Sequence, residues 1–218
     1  MNNTLQAKLA LGLVDMGLQI SPDKQSKLIA YVALIEKWNV VHNLTAIRAP
    51  LDMVTLHLLD SLSVLSHMQQ LGPASLLDVG AGAGLPSIPL AICMTELQVT
   101  AIEAVQKKVS FMRQVKGELN LTNFHVELGR VEAWKKDLPQ QKFDVIISRA
   151  FAEINLFIKL TKHLLAENGQ WLAMKGHVPE HEFASLDYKV LEIQPAIIKK
   201  LNVANLKAER HLILLKPI

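Results

Sequence analysis

The chain has a single cysteine, Cys93, so no intrachain disulfide can form and nothing points to an oxidising compartment. That cysteine lies in the apolar run Leu90–Met94 and reads as a buried structural thiol. No apolar run approaches the ~18 residues of a membrane span, so no membrane partner is expected. The opening Met1-Asn2-Asn3-Thr4 lacks the basic start and small-residue cleavage site of a secretory signal. Together these absences predict a cytoplasmic protein. The eight histidines lack the Cys/His spacing of a zinc site, and no metal is expected. An excess of one charge is also missing. A net charge of +3 and a pI of about 8.9 are compatible with an RNA partner but do not argue for one unaided.

What is present begins with size. A chain of 218 residues, half of them hydrophobic, can bury a substantial core, so one domain with an extension is expected. Residues 1–72 carry helix signals and no strand signal. Thr4 is placed to cap a helix striped by Leu5, Leu9, Leu13 and Met16 and ending near Gly17. Ser21-Pro22-Asp23 combines a capping hydroxyl, a first-position proline and a first-turn acid. Leu28, Val32, Ile35 and Trp38 then share one helical face, before a polar interruption from Val40 to Pro50. Asp52 opens another helix, with Val54, Leu58, Leu62 and Leu65 on one stripe and His57, Asp60 and Ser61 on a neighbouring face. These stripes need a further surface, so residues 1–72 are expected to pack as a helical extension on a core made by 73–218.

From Leu76 the pattern alternates strand and helix, the mark of a mainly parallel, doubly wound α/β sheet. Strands are predicted at Leu76–Val79, Val99–Ile102, Phe124–Leu128, Phe143–Ser148 and Trp171–Met174. Helices are predicted at Ser87–Met94, Val105–Leu119 and Glu153–Leu165, with a short turn at Val131–Trp134 and a turn at Gly169. A terminal antiparallel hairpin is predicted from Tyr188–Ile193 and Arg210–Leu215.

The chain is organised around Leu76-Leu77-Asp78-Val79-Gly80-Ala81-Gly82-Ala83-Gly84-Leu85-Pro86. Asp78 precedes three alternate glycines that allow a tight turn and close ligand approach, and Pro86 suits a first helical position. A helix opening there is expected to aim free N–H groups into the turn. A phosphate loop would need Gly-Lys-Ser/Thr after the turn, and Gly-x-Gly-x-x-Gly fails from Gly80 and from Gly82. The pattern Asp-x-Gly-x-Gly-x-Gly resembles motif I of Rossmann-like S-adenosylmethionine (SAM) methyltransferases, which makes Asp78, Gly80, Gly82 and Gly84 candidate cofactor residues. A glycine-rich turn without a ligand is the plain alternative.

Ligands of open α/β sheets bind beyond the carboxyl ends of the strands. There the sequence places Glu103, Arg130-Val131-Glu132, Ser148-Arg149 and Lys175-Gly176-His177. Glu103 lies close to the ~20-residue spacing at which an acid grips a ribose hydroxyl; the plain alternative is a helix-start acid. Lys107, Lys108, Arg113 and Lys116 share a helix and read equally as its solvated side. A nicotinamide oxidoreductase would need a tyrosine with lysine four positions on, whereas Tyr31 and Tyr188 have Ile35 and Glu192 there.

These stretches together resemble one family, the bacterial 16S rRNA guanine-N7 methyltransferases of the RsmG type, also called glucose-inhibited division protein B. The segments that carry the resemblance are Lys37-Trp38-Asn39, Asn43-Leu44-Thr45, His57-Leu58-Leu59-Asp60-Ser61, the glycine loop with Ile88-Pro89-Leu90, Ser148-Arg149-Ala150-Phe151-Ala152 and Met174-Lys175-Gly176. The resemblance implies a Rossmann-like SAM-dependent methyltransferase fold and SAM as cofactor. Its substrate would be a guanine in the decoding-region loop of 16S ribosomal RNA or of the small ribosomal subunit. Gly80, Leu85, Val131, Glu132 and Arg149 match the family's cofactor-contact positions. Arg130, Arg149 and Lys175 match its RNA- and site-facing cations, and Lys107-Lys108 stand where Lys-Arg is common. Glu103-Ala104 departs from the usual Asp-Ser, and Ser87 replaces a usual glycine. Guanine N7 carries no proton, so catalysis is expected to rest on positioning by Arg149 and Lys175, without a general base. The alternatives are a SAM methyltransferase of another RNA or a small molecule, and a SAM- or ribosome-binding module without catalysis.

Overall fold

A computed structural model describes residues 2–134 and 142–218. Five helices come first among the described residues: α1 (Asn2–Asp15), α2 (Pro22–His42), α3 (Pro50–Met53), α4 (Asp60–Leu62) and α5 (Leu65–Leu71), with a π-helical turn at Val54–Leu59 joining α3 to α4. A seven-stranded sheet follows, made of β1 (Ser75–Val79), β2 (Gln98–Glu103), β3 (Phe124–Leu128), β4 (Phe143–Arg149), β5 (Leu165–Lys175), β6 (Ile197–Lys200) and β7 (His211–Leu215). Its order is β3-β2-β1-β4-β5-β7-β6, with β1 to β5 parallel and β7 antiparallel to both β5 and β6. Helices α6 (Ser87–Cys93), α7 (Gln106–Glu118) and α8 (Ile154–Thr161) make the crossovers, and α9 (Glu180–Ala184) and α10 (Tyr188–Leu191) precede the closing strands. This is the mixed, mainly parallel sheet that the strand–helix alternation predicts.

The layers follow from strand periodicity, because successive side chains point to opposite faces. Leu76, Val99, Ala101, Val145 and Ile147 face a core shared with α6, α7 and the N-terminal stripes Leu9, Leu13, Leu28, Val32 and Ile35. Leu77, Val79, Ile146 and Trp171 face a second core under α8 and the C-terminal segment. The N-terminal stripes therefore bury in the same core as one sheet face. No helix of the described residues is long and apolar enough to cross a membrane.

Several local expectations are corrected. Thr4 lies inside α1, which starts at Asn2. Ser21 flanks α2 without a side-chain cap bond, and that helix runs on to His42 before Asn43 ends it in the left-handed region (φ 47°). The next helix begins at Pro50 rather than Asp52. Pro86 sits before the first helical residue, Ser87, instead of occupying the first turn. Gly169 lies within β5, where pairing with β4 slips between Phe143 and Val145; a Cβ there would meet the Leu165 side chain at 2.9 Å, which fits a bulge glycine. The largest correction concerns Tyr188–Ile193, where Tyr188–Leu191 is helix α10 and only Ile193 makes a strand-like contact, an isolated antiparallel bridge to Pro217. Asp187 caps the helix by accepting from Lys189 N and Val190 N, and the strand that pairs with β7 is β6, four residues beyond Ile193.

Candidate active site

After β1 the chain turns through Gly80 (φ 69°), Gly82 (φ 61°) and Gly84 (φ 89°), all in the region that penalises a Cβ. A Cβ at Gly80 would lie 2.7 Å from the Phe151 ring, and one at Gly84 would overlap Ile88. Beside Gly82 there is open space, with its nearest neighbour the Gly80 carbonyl at 4.0 Å. The turn is thus glycine-rich for three different reasons.

Its donors are not free. Gly80 N and Ala81 N donate to Ile102 O, Ile88 N to Gly84 O, Gly82 N to Glu103 Oε2 at 2.9 Å and Ser87 N to Asp78 Oδ2 at 3.2 Å. The expected array of open N–H groups is therefore corrected: two of the chain's own carboxylates occupy the places a bound anion would take. Asp78 is fully buried beneath the loop, accepts from Ser87 N and lines neither cavity described below. Burial raises its pKa to about 6 against the opposing hydrogen bonds from Ser87 and the charge of Arg149. Gly84 likewise faces the core, against Ile88 and Met112. Glu103 lines a cavity and holds Gly82 N and Val105 N, the latter at 3.0 Å, with Lys108 Nζ at 3.9 Å. A carboxylate has about four lone-pair sites, so Glu103 retains room for further donors.

Two cavities meet at Gly80 and Ala150. Ala150 itself adopts φ 56°, a left-handed backbone rare for a residue with a Cβ, where β4 ends. The smaller cavity, about 410 Å³, is walled by Glu103, Arg130, Val131, Glu132 and Phe151. The larger, about 580 Å³, is walled by Thr45, His57, Asp60, Leu85 and Arg149, and further out by Lys108, Lys175 and Arg210. The predicted site residues are therefore sorted between two spaces. Arg130 stands on the smaller cavity as an exposed side chain 3.7 Å from Glu132. Lys107 is exposed and lines neither cavity.

Most cations of the larger cavity have acidic partners. Arg149 Nη1 donates to Asp60 Oδ2 at 2.8 Å and to Leu56 O at 3.1 Å. Arg210 Nε donates to Asp60 Oδ1 at 2.6 Å. Lys175 donates to both Glu182 oxygens, at 2.8 and 3.0 Å, and to Ala152 O. Sequence reasoning missed Arg210, because it searched the carboxyl ends of strands and β7 runs the other way. The amino end of an antiparallel strand lies at the same sheet edge.

The opposite wall comes from the N-terminal helices. Asn39 is buried, accepts from Thr45 N and donates to Ile47 O, which pins the 43–48 loop from both sides. Arg48 closes the loop on Asn39 O and Asn43 Oδ1. Thr45 Oγ1 then meets His57 Nε2 at 3.0 Å. Burial, with the charge of Arg149, lowers the His57 pKa to about 4, so the ring is neutral at neutral pH. Tyr31, buried on α2, donates to Ala83 O at 2.7 Å and ties the extension to the glycine loop; burial raises its pKa. His177 and His181 are four residues apart, but no group of three or more potential metal ligands gathers among the described residues.

Residues 24–213 match the GidB family model, described as rRNA small subunit methyltransferase G. The chain belongs to this family. A ribosomal RNA small subunit methyltransferase G from Methylobacillus flagellatus is 56% identical over 97% of this chain and 98% of the relative. One from Neisseria meningitidis is 43% identical over 95% and 96%. Among solved structures, an O-methyltransferase from Bacillus cereus in complex with SAH superposes with a TM-score of 0.64 at 17% identity, covering 98% of this chain and 100% of that one. This last likeness establishes the fold, a Rossmann-like methyltransferase fold, and membership of the family makes the protein a methyltransferase.

Proposed function

We propose that the protein transfers a methyl group from SAM to N7 of a guanine in the decoding-region loop of 16S ribosomal RNA. The observation that carries this reading is convergence. Leu44-Thr45, His57 with Asp60, the Gly80–Leu85 turn and Arg149, far apart in sequence, wall the larger cavity, which meets at Gly80 and Ala150 a smaller one walled by Glu103, Val131 and Glu132. Relatives named for small subunit rRNA support the choice of substrate, and a ribosomal substrate supports the expectation of a cytoplasmic protein.

The residues fit SAM. The neck carries no Cβ at Gly80, and Glu103 is a buried acceptor at the edge of a cavity whose other wall holds Val131 and Phe151. Glu103 and Glu132 would hold the nucleoside end with Val131, while Gly80, Gly82, Leu85 and Arg149 would line the passage to the larger cavity. When bound, SAM supplies an electrophilic methyl on a sulfonium. N7 presents an in-plane lone pair without a proton, so the chain has only to orient the base and exclude water. His57, neutral and engaged with Thr45, shapes the wall and is not needed as a base. Arg149 and Lys175 act as positioning cations, and Arg130 and Lys108, on the cavity walls, would meet phosphates together with exposed Lys107 outside them. The target base must leave its stack to enter the cavity.

The test is incubation of labelled SAM with unmodified small subunits and with bare 16S rRNA, followed by borohydride–aniline cleavage at 7-methylguanine. One new cleavage site is expected in at least one substrate. Absence of cleavage in both refutes the proposal.

A further inference from the structure

Asp60 is a buried acid whose two oxygens are divided between two arginines of the sheet edge. Arg149 ends β4 and Arg210 immediately precedes β7, with β5 between those strands. Each arginine has a long, rotamer-rich side chain, and two such cations on one wall repel each other. One carboxylate, delivered from the end of the π-helical turn, fixes both. Their side chains remain partly exposed, 22% for Arg149 and 24% for Arg210, so each still offers donors to the cavity. Two guanidiniums over one carboxylate leave a single net positive charge, the complement of one phosphodiester.

We propose that Asp60 is a positioning residue. It holds Arg149 and Arg210 as a pair that grips one phosphodiester of the RNA, and so sets the target base against the site. This rests on the RNA-methylating reading above. A purely structural ion pair would stabilise the fold without fixing where the substrate sits.

Asp60→Asn separates the two. Asparagine keeps one carbonyl oxygen and removes the charge, which takes the cluster from one net positive charge to two. Both arginines can still be solvated, so the variant is expected to fold. Its affinity for 16S rRNA, measured without cofactor at low salt, is expected to hold or rise, with a salt slope steeper by up to about one. Its single-turnover rate with saturating RNA is expected to fall about 10²-fold, the size of effect produced by misplacing a substrate by about 1 Å. Asp60→Glu, which keeps the charge, should recover part of the rate, and Asp60→Asn should add little in an Arg210→Gln background. The proposal is overturned by a wild-type single-turnover rate in Asp60→Asn, or by rate and RNA affinity falling together in step with thermal stability. If wild type itself methylates no rRNA, the functional reading fails separately. The cofactor-free binding arm still decides this proposal, because an unchanged salt slope in Asp60→Asn overturns it.

Discussion

Two buried groups beside the glycine loop titrate in opposite senses, and their opposition can be measured. His57 is held neutral, its pKa lowered from 6.5 to about 4 by burial and by Arg149. As pH falls through 6.5 the unfolded chain takes up a proton that the folded chain refuses. Stability from this group is complete above 6.5 and is lost towards 4, by about 3 kcal/mol over the full window. Asp78 behaves inversely, its pKa raised from 3.8 to about 6. As pH rises through 3.8 the unfolded carboxyl ionises while the folded one keeps its proton. Its contribution is complete below 3.8 and is lost towards 6, again by about 3 kcal/mol. Between pH 4.5 and 6 the two slopes cancel in the wild type, and single substitutions unmask them. His57→Gln should lose stability relative to wild type as pH rises across that interval, and Asp78→Asn should gain it, each by up to about 2 kcal/mol at 1.4 kcal/mol per pH unit. Urea unfolding at four pH values reads this directly, since all other titrating groups are common to the three proteins. Slopes of the same sign, or parallel to wild type, would refute the reasoning. The same neutrality of His57 predicts that the histidine adds no pH dependence to the single-turnover rate from about pH 5.5 to 8. A steep single-group loss in that range, abolished by His57→Gln, would make the histidine a base after all.

The neck and the rim give further tests. Gly80→Ala adds about 1–2 kcal/mol of left-handed strain and pushes on Phe151, whose ring would be 2.7 Å away. SAM affinity by calorimetry should fall at least about tenfold, because 1.4 kcal/mol of distortion at the neck suffices. Gly17→Ala has the same backbone sign (φ 67°) with nothing within 4 Å, so it should leave affinity untouched; equal losses in both would count against the neck. Glu182→Gln removes the acid that occupies Lys175. RNA binding should tighten at low salt and its salt slope steepen by about 0.7–0.9, the increment of one phosphate contact. A slope unchanged from wild type would mean that Lys175 does not reach the RNA.

The legible part of the fold is the part set by local sequence. Strands β1, β2 and β4 are buried on both faces and therefore read as continuous apolar runs. Residues Tyr188–Ile193 are mostly apolar, with Val190 and Leu191 adjacent, and read as a strand, yet Asp187 in front of them is a helix cap that was there to be read. The glycine loop showed its shape and not its hydrogen bonding. The acid that occupies Gly82 N is Glu103, brought there by the pairing of β1 with β2, and no spacing rule distinguishes an acid aimed at the chain from one aimed at a ligand. Asp78 illustrates the same limit. Its place in the motif is visible, but its burial beneath the turn is a property of the packed sheet.

The sequence is also silent on why helices should precede a nucleotide-type sheet, and the site supplies an answer. A parallel sheet alone presents strand ends along one edge, an open rim with no opposite wall. Here the opposite wall is Thr45, Ile47, Leu56, His57 and Asp60, all from the N-terminal helices and the loop between them. Four hydrogen bonds fix it at the reacting edge: Tyr31 to the Ala83 carbonyl, Arg149 to Leu56 O, and Arg149 and Arg210 to Asp60. We therefore propose that residues 1–72 act as half of the active site, packed on residues 73–218. Leu9 and Leu28 share one core with Val99 and Phe111, so the energy that folds the extension also sets the width of the cavity. A substitution that loosens that core far from any ligand would then act on the reaction through the spacing of the two walls.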